Sequence, residues 1–118
     1  MSMGALFVGW GHPVRGRESK ALQLFDETMG YYARLKQQGD IEGFEPVILE
    51  PHGGDLSGFL LIRGDADKLA RLRGSEEFID LTARAQLLLE NVGVTGGFVG
   101  EGLQRLMGGY TTHVKALA

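Results

Sequence analysis

Apolar positions along this chain follow two different periods, and the switches between them mark out the elements. Ala5-Leu6-Phe7-Val8-Gly9-Trp10 is a short apolar run with the length of a strand. Gly11 to Arg17, with Pro13 and two glycines, breaks any regular pattern and reads as a loop. From Glu18 to about Gln38, Leu22, Phe25, Met29 and Tyr32 recur at i, i+3, i+7 and i+10. That spacing predicts a helix with one apolar face, basic residues Arg34 and Lys36 near its end and Gly39 as its stop. Two apolar runs follow, Phe44–Glu50 and Leu56–Ile62. The turn residues Pro51 to Asp55 between them include Gly53-Gly54, a hairpin signal. Asp65 is placed to cap a short helix over Asp65–Arg73, which ends at Gly74. Ser75 caps a longer one whose stripe is Phe78, Leu81, Ala85, Leu88 and Val92. Val92–Val99 reads as a fourth strand and Gly102–Met107 as a helical turn. Tyr110–Val114 is strand-prone, a tail able to pair with an edge or a partner chain.

The order β-α-β-β-α-β predicts an α+β domain: a ferredoxin-like plait, with an antiparallel four-stranded sheet and both helices on one face. Val47, Leu49, Phe59 and Leu61 alternate with Ile48, Leu60 and Ile62, so both faces of the hairpin carry large apolar groups. A sheet covered on one side leaves such a face open, and a second copy of the chain is the expected cover.

Totals sharpen this picture mainly by exclusion. The 118 residues are expected to form one domain, with its core at about 4–100 and a C-terminal extension, 101–118, in the dimer contact. A net charge of -3, from 12 basic and 15 acidic residues, offers no footprint for nucleic acid. Cysteine is absent, which excludes disulfides and thiolate chemistry and suits a cytoplasmic protein. No apolar run is long enough to span a membrane and no signal sequence is evident. Glycine is abundant, at 19 residues, but scattered.

The element order, the doubly apolar hairpin and the second helix, broken at Arg73-Gly74-Ser75 before Glu76-Glu77-Phe78, resemble the dimeric α/β-barrel superfamily. The resemblance covers roughly residues 4–100. It implies a fold and a homodimer. It does not select a reaction, since the superfamily includes cofactor-free monooxygenases, haem-handling enzymes, muconolactone-isomerase-like enzymes and proteins of unknown role.

With the first and third strands taken as parallel, His12 and Arg63 fall at one end of the sheet. Glu50, His52 and Asp55 then fall at the other, near Glu101, about 20 Å away at about 3.3 Å per residue. On that arrangement His12 and His52 cannot share a metal, and no metal or other cofactor is expected. The first end would gather Trp10, His12, Arg15, Arg17, Arg63 and both helix N-termini, a setting that favours an anion. The plainer reading makes Arg15 and Arg17 solvated loop charges and pairs Arg63 with Asp65 or Asp67. His52, beside Glu50 and Asp55, is either a general base or part of a polar turn. Tyr31 and Tyr32 face different directions, with Tyr32 continuing the apolar stripe. His113 and Tyr110 fit dimer contacts. No nucleotide-loop or nucleophile-elbow spacing is present.

Three functions are consistent with these residues. In the first, a homodimer binds a small anionic or aromatic organic molecule between helices and sheet. Trp10, Phe25, Met29 and Tyr32 would form the wall, and His12, Arg15, Arg17 and Arg63 would hold the anion. The second is a cofactor-free oxygenase or isomerase with His12 or His52 as base. The third is a non-catalytic interaction module.

Overall fold

The computed structural model describes residues 2–118. Its elements are β1 (Met3–Trp10), α1 (Glu18–Gln37), β2 (Gly43–Ile48), β3 (Gly58–Asp65), α2 (Ala66–Arg73), α3 (Glu76–Leu88), β4 (Gly93–Gly97) and α4 (Gly100–Leu117). The strands form one sheet in the order β2-β3-β1-β4, with every neighbouring pair antiparallel.

Alternation along the strands sorts residues onto two faces. Leu6 lies opposite Ile62, Val8 opposite Leu60, and Phe44 opposite Ile62 on the other side. These residues point beneath the helices, where Leu6, Leu60 and Ile62 are almost fully buried. Helix α1 presents Ala21, Leu24, Tyr31, Tyr32 and Leu35 to them, and α2 and α3 add Leu69, Phe78 and Leu81. The opposite face carries Phe7, Phe59, Leu61 and Val47, all partly exposed, with the Phe7 and Phe59 rings stacked at 5.2 Å. Both faces are apolar, as the hairpin pattern predicts, and only one is covered.

The kinked helix pair is capped as read. Asp65 accepts from the Lys68 amide, and Ser75 accepts from the Phe78 amide while its hydroxyl donates to the Leu72 carbonyl.

Four expectations are corrected. β1 and β3 run antiparallel, not parallel. A helix between β1 and β2 returns the chain to its starting side, so those two are parallel, and the hairpin then reverses β3. The buried stripe of α1 is phased on Ala21 and Leu24, leaving Leu22 69% exposed. Tyr31 and Tyr32 are both buried and meet edge to face at 5.0 Å. The C-terminal region is neither a short turn nor a strand but the 18-residue helix α4. Its Leu103, Leu106, Met107, Tyr110, Val114 and Leu117 fall at helical spacing, and that period outweighs the strand preference of Thr111, Thr112 and Val114.

Candidate functional site

The corrected strand directions redistribute the candidate residues. Trp10 pairs with Gly58 and Ile48 with Gly58, so the ends of β1 and β2 meet the start of β3. His12, Arg15, Arg17, Glu50, His52 and Asp55 all lie in the loops of that one end. Arg63 pairs with Ala5 at the opposite end, where β4 also finishes and Glu101 lies in the first turn of α4. The N-terminus of α1 belongs to the first end, but α3 arrives there by its C-terminus.

That end is tied together by backbone. Gly11 donates to the Glu90 carbonyl at 2.7 Å, Glu90 to the His12 carbonyl at 2.9 Å, and Val14 to the Leu88 carbonyl at 2.8 Å. A Cβ on Gly11 would come 2.9 Å from both the Asp55 and Glu90 carbonyl oxygens, so only glycine fits between these two stretches. Arg17 donates to the Leu87 carbonyl. Its charge thus sits at the negative end of α3, a favourable placement, and is not free to face a ligand.

Between α1, α3 and the sheet lies a cavity of about 530 Å³, within the size range of small-molecule sites. Its wall combines Val8, Trp10 and Leu60 from the sheet, Leu24, Phe25 and Tyr32 from α1, and Phe78, Leu81 and Ala85 from α3. Leu22 and Ile48, both largely exposed, stand on its border. The Trp10 indole meets the Phe25 ring edge to face at 6.1 Å. Polar groups are few: Thr28, Ser57, Thr82, Tyr32 and, as the lone charged lining residue among those described, Glu18, whose carboxylate accepts from the Gly16 amide.

Tyr32 is the polar group set deepest in burial, at 2% exposure. No described group hydrogen-bonds its hydroxyl, yet no buried side-chain polar atom among the described residues is left both sealed and unpaired. The hydroxyl is therefore not sealed off, and Tyr32 is part of the cavity wall. Burial, helped by the neighbouring Tyr31, pushes its pKa well above the usual phenol value of 10.0. It stays protonated and serves as a donor, not a base.

Of the other sequence candidates, Trp10 lines the cavity, whereas His12, Arg15, Arg17, His52 and Arg63 do not. His12 is exposed just outside, with Nδ1 3.4 Å from Oγ of the lining residue Ser57. His52 staples its own loop: Nδ1 accepts from the Gly54 amide at 3.2 Å, and Nε2 lies 2.7 Å from the Leu56 carbonyl, which makes it the protonated nitrogen. Both ring nitrogens are used, which leaves none for a base. None of the ion pairs among the described residues involves Arg63. His12 and His52 share one end of the sheet, contrary to the separation expected for them, and among the described residues no three His, Asp or Glu side chains cluster as a metal site. Among those residues, too, no helix is long and apolar enough to cross a membrane. The helical phase assumed for α1 hid Leu24 as a lining residue, whereas Leu81 and Ala85 already stood in the α3 stripe.

No family model and no curated protein matches the sequence. Solved structures do match the fold. A Bacteroides fragilis protein, described as dimeric, of unknown function and ferredoxin-like fold, is 12% identical with a TM-score of 0.59, covering 82% of this chain and 96% of its own. The chain has the ferredoxin-like fold. SnoaB, a cofactor-independent oxygenase from Streptomyces nogalater, is 16% identical with a TM-score of 0.57, covering 85% of this chain and 95% of its own. A Bacteroides thetaiotaomicron protein of unknown function, described as a possible oxidoreductase, is 18% identical with a TM-score of 0.61, covering 81% of this chain and 96% of its own. At these identities the likeness establishes architecture, and function has to be argued from the site.

Proposed function

We propose that this protein binds a small, flat, largely apolar and preferably aromatic molecule in the cavity between α1, α3 and the sheet, as a homodimer. The observation that carries the reading is the cavity itself: about 530 Å³, walled by Trp10, Phe25, Tyr32 and aliphatic side chains. Its lining includes the hydroxyl residues Thr28, Tyr32, Ser57 and Thr82, and its one charged residue among those described, Glu18, is an acid. An anion would meet no cation there, so a neutral ligand fits better than an anionic one. The uncovered apolar sheet face supports the homodimer, and a structural neighbour is itself described as dimeric.

Trp10 is the single tryptophan of the chain and lines the cavity, so its fluorescence reports occupancy. Naphthalene and 1-naphthol are expected to quench it saturably, with 1-naphthoate at least ten-fold weaker. Ala85→Phe, which fills the wall, should remove the response while circular dichroism stays unchanged. Absence of saturable quenching by all three probes would refute the reading and favour an interaction module.

A second reading, a cofactor-free oxygenase, draws on the contact between exposed His12 and the lining residue Ser57, and on the SnoaB likeness. His12 would take a phenolic proton from a ligand at the cavity edge. Oxygen uptake with 1,4-dihydroxynaphthalene should then exceed the uncatalysed rate and fall at least ten-fold in His12→Ala, with His52→Ala unaffected. An oxygen electrode trace indistinguishable from buffer would eliminate it.

A further inference from the structure

Helix α4 is the part of the molecule its own chain leaves without cover. It touches no element except β1, and among the described residues none of its side chains is buried. Leu103, Leu106, Met107, Tyr110, Val114 and Leu117 nevertheless form a single stripe about 100° wide, with Glu101, Gln104, Arg105, Thr112 and Lys115 on the other side. Their exposures run from 44% at Leu103 to 89% at Leu117. The projecting arm gives the chain a radius of gyration of 16.5 Å and a long dimension of 53 Å, where a compact domain of this length has a radius near 13–14 Å. The three solved structures described above are matched over 95–96% of their own length and cover 81–85% of this chain. The 18 residues of α4 are about the size of the remainder.

The same chain carries a second unpartnered apolar surface, the open sheet face with Phe7, Phe59, Leu61 and Val47. Its β4 positions are Gly93, Thr95 and Gly97, opposite Gly9, Phe7 and Ala5. A side chain added at Gly93 would meet nothing within 4 Å, so this side of the face is a shelf. Such a shelf gives a facing sheet little to interdigitate with but gives a helix room to approach. The stripe presents on the order of several hundred Å² of apolar area, approaching the ~800 Å² that each partner contributes to a stable interface. Two reciprocal arms would clear that threshold. Only Arg105 and Lys115 are Lys or Arg within α4, fewer than a helix lying on a membrane surface carries.

We propose that α4 is an exchanged arm, whose Leu103–Leu117 stripe docks on the open sheet face of a second copy of the chain. This rests on the homodimer reading and assigns the surfaces that make it. The exchange is isologous: each protomer gives one helix and receives one, so both apolar surfaces of the monomer are buried at once.

The test uses the full chain with p-benzoylphenylalanine in place of exposed Tyr110, as a mixture of isotopically light and heavy protein. Irradiation should cross-link light to heavy chains, with adducts in peptides carrying residues 3–9 or 58–65. Adducts within one chain, on the partner's α4, or on α1 or α3 would overturn the docking. Leu106→Glu, at an exposed site whose loss leaves the core intact, should weaken the dimer at least ten-fold by native mass spectrometry without altering naphthalene binding. A dimer unchanged by Leu106→Glu would overturn the arm while leaving the homodimer standing. A monomeric wild-type protein would overturn both, and neither result bears on the cavity. Recovery of the wild-type protein on neutral or anionic lipid vesicles through α4, in place of dimerisation, would also overturn the proposal.

Discussion

Trp10 lies directly opposite Gly58 in the β1–β3 ladder, and a Cβ at position 58 would come 2.9 Å from Cζ2 of the indole. The same atom would press on Ile48 Cδ1 and on the Val47 carbonyl oxygen, each at 2.9 Å. The missing side chain at 58 is what allows the indole to lie across β3 and form the cavity wall. Gly58→Ala is expected to displace it, at a cost of about 1–3 kcal/mol for overpacking. Chemical denaturation followed by Trp10 fluorescence measures both effects. An unchanged emission maximum together with an unchanged midpoint would contradict the packing described.

Gly11 is a parallel case built on backbone. Its neighbours are two carbonyl oxygens, and neither can turn aside as a flexible side chain can. Gly11→Ala should break the pairing of Gly11 with Glu90, which closes this end of the cavity. The expected loss is again about 1–3 kcal/mol. Amide hydrogen exchange at Gly11 and Glu90 should quicken well before exchange in the centre of β1 does.

Ser75 joins α2 to α3 by receiving one hydrogen bond and giving another. Ser75→Ala removes the cap and leaves the Leu72 carbonyl with one partner fewer. A loss of about 1–2 kcal/mol is expected, visible as a lower thermal midpoint, and Ser75→Asp should restore part of it.

Tyr32 carries a pH signature. Burial raises its folded-state pKa above 10.0, so the folded chain holds this proton after the unfolded chain has begun to release it. The stability it supports is fully present below pH 10 and declines as pH rises through the folded value. Tyr31 shifts in the same direction, chiefly by burial. Wild-type protein should therefore lose stability above about pH 10, and Tyr32→Phe should flatten that decline. Equal slopes for the two proteins in alkaline denaturation would contradict the assignment. The same variant should bind 1-naphthol more weakly relative to naphthalene, since its donor into the cavity is gone.

Local pattern was enough for the elements from β1 to β4. The alternation in β2 and β3, the stop at Gly39, and the caps at Asp65 and Ser75 depend on neighbours within a few residues, and they stand where the chain places them. The sheet with two apolar faces followed from period-two alternation alone. The spacing of the α4 stripe was equally present in the chain. It was masked by Tyr, Thr and Val, whose strand preference is weaker than a sustained helical period.

What required the tertiary structure was everything set by pairing across distance. Strand direction decided that Arg63 leaves the site end while His52 joins it, and direction follows from how a helix and a hairpin return the chain. The cavity exists because Gly11 and Gly58 bring separate segments together, and composition does not say which glycine meets which neighbour. The pattern named Tyr32 and Trp10 as wall residues of a site between helices and sheet. Packing decided which other residues share that wall, bringing Leu24, Leu81 and Ala85 beside them. A sequence specifies which side of an element is apolar because that depends on local geometry; what the side encloses depends on the sum of long-range contacts.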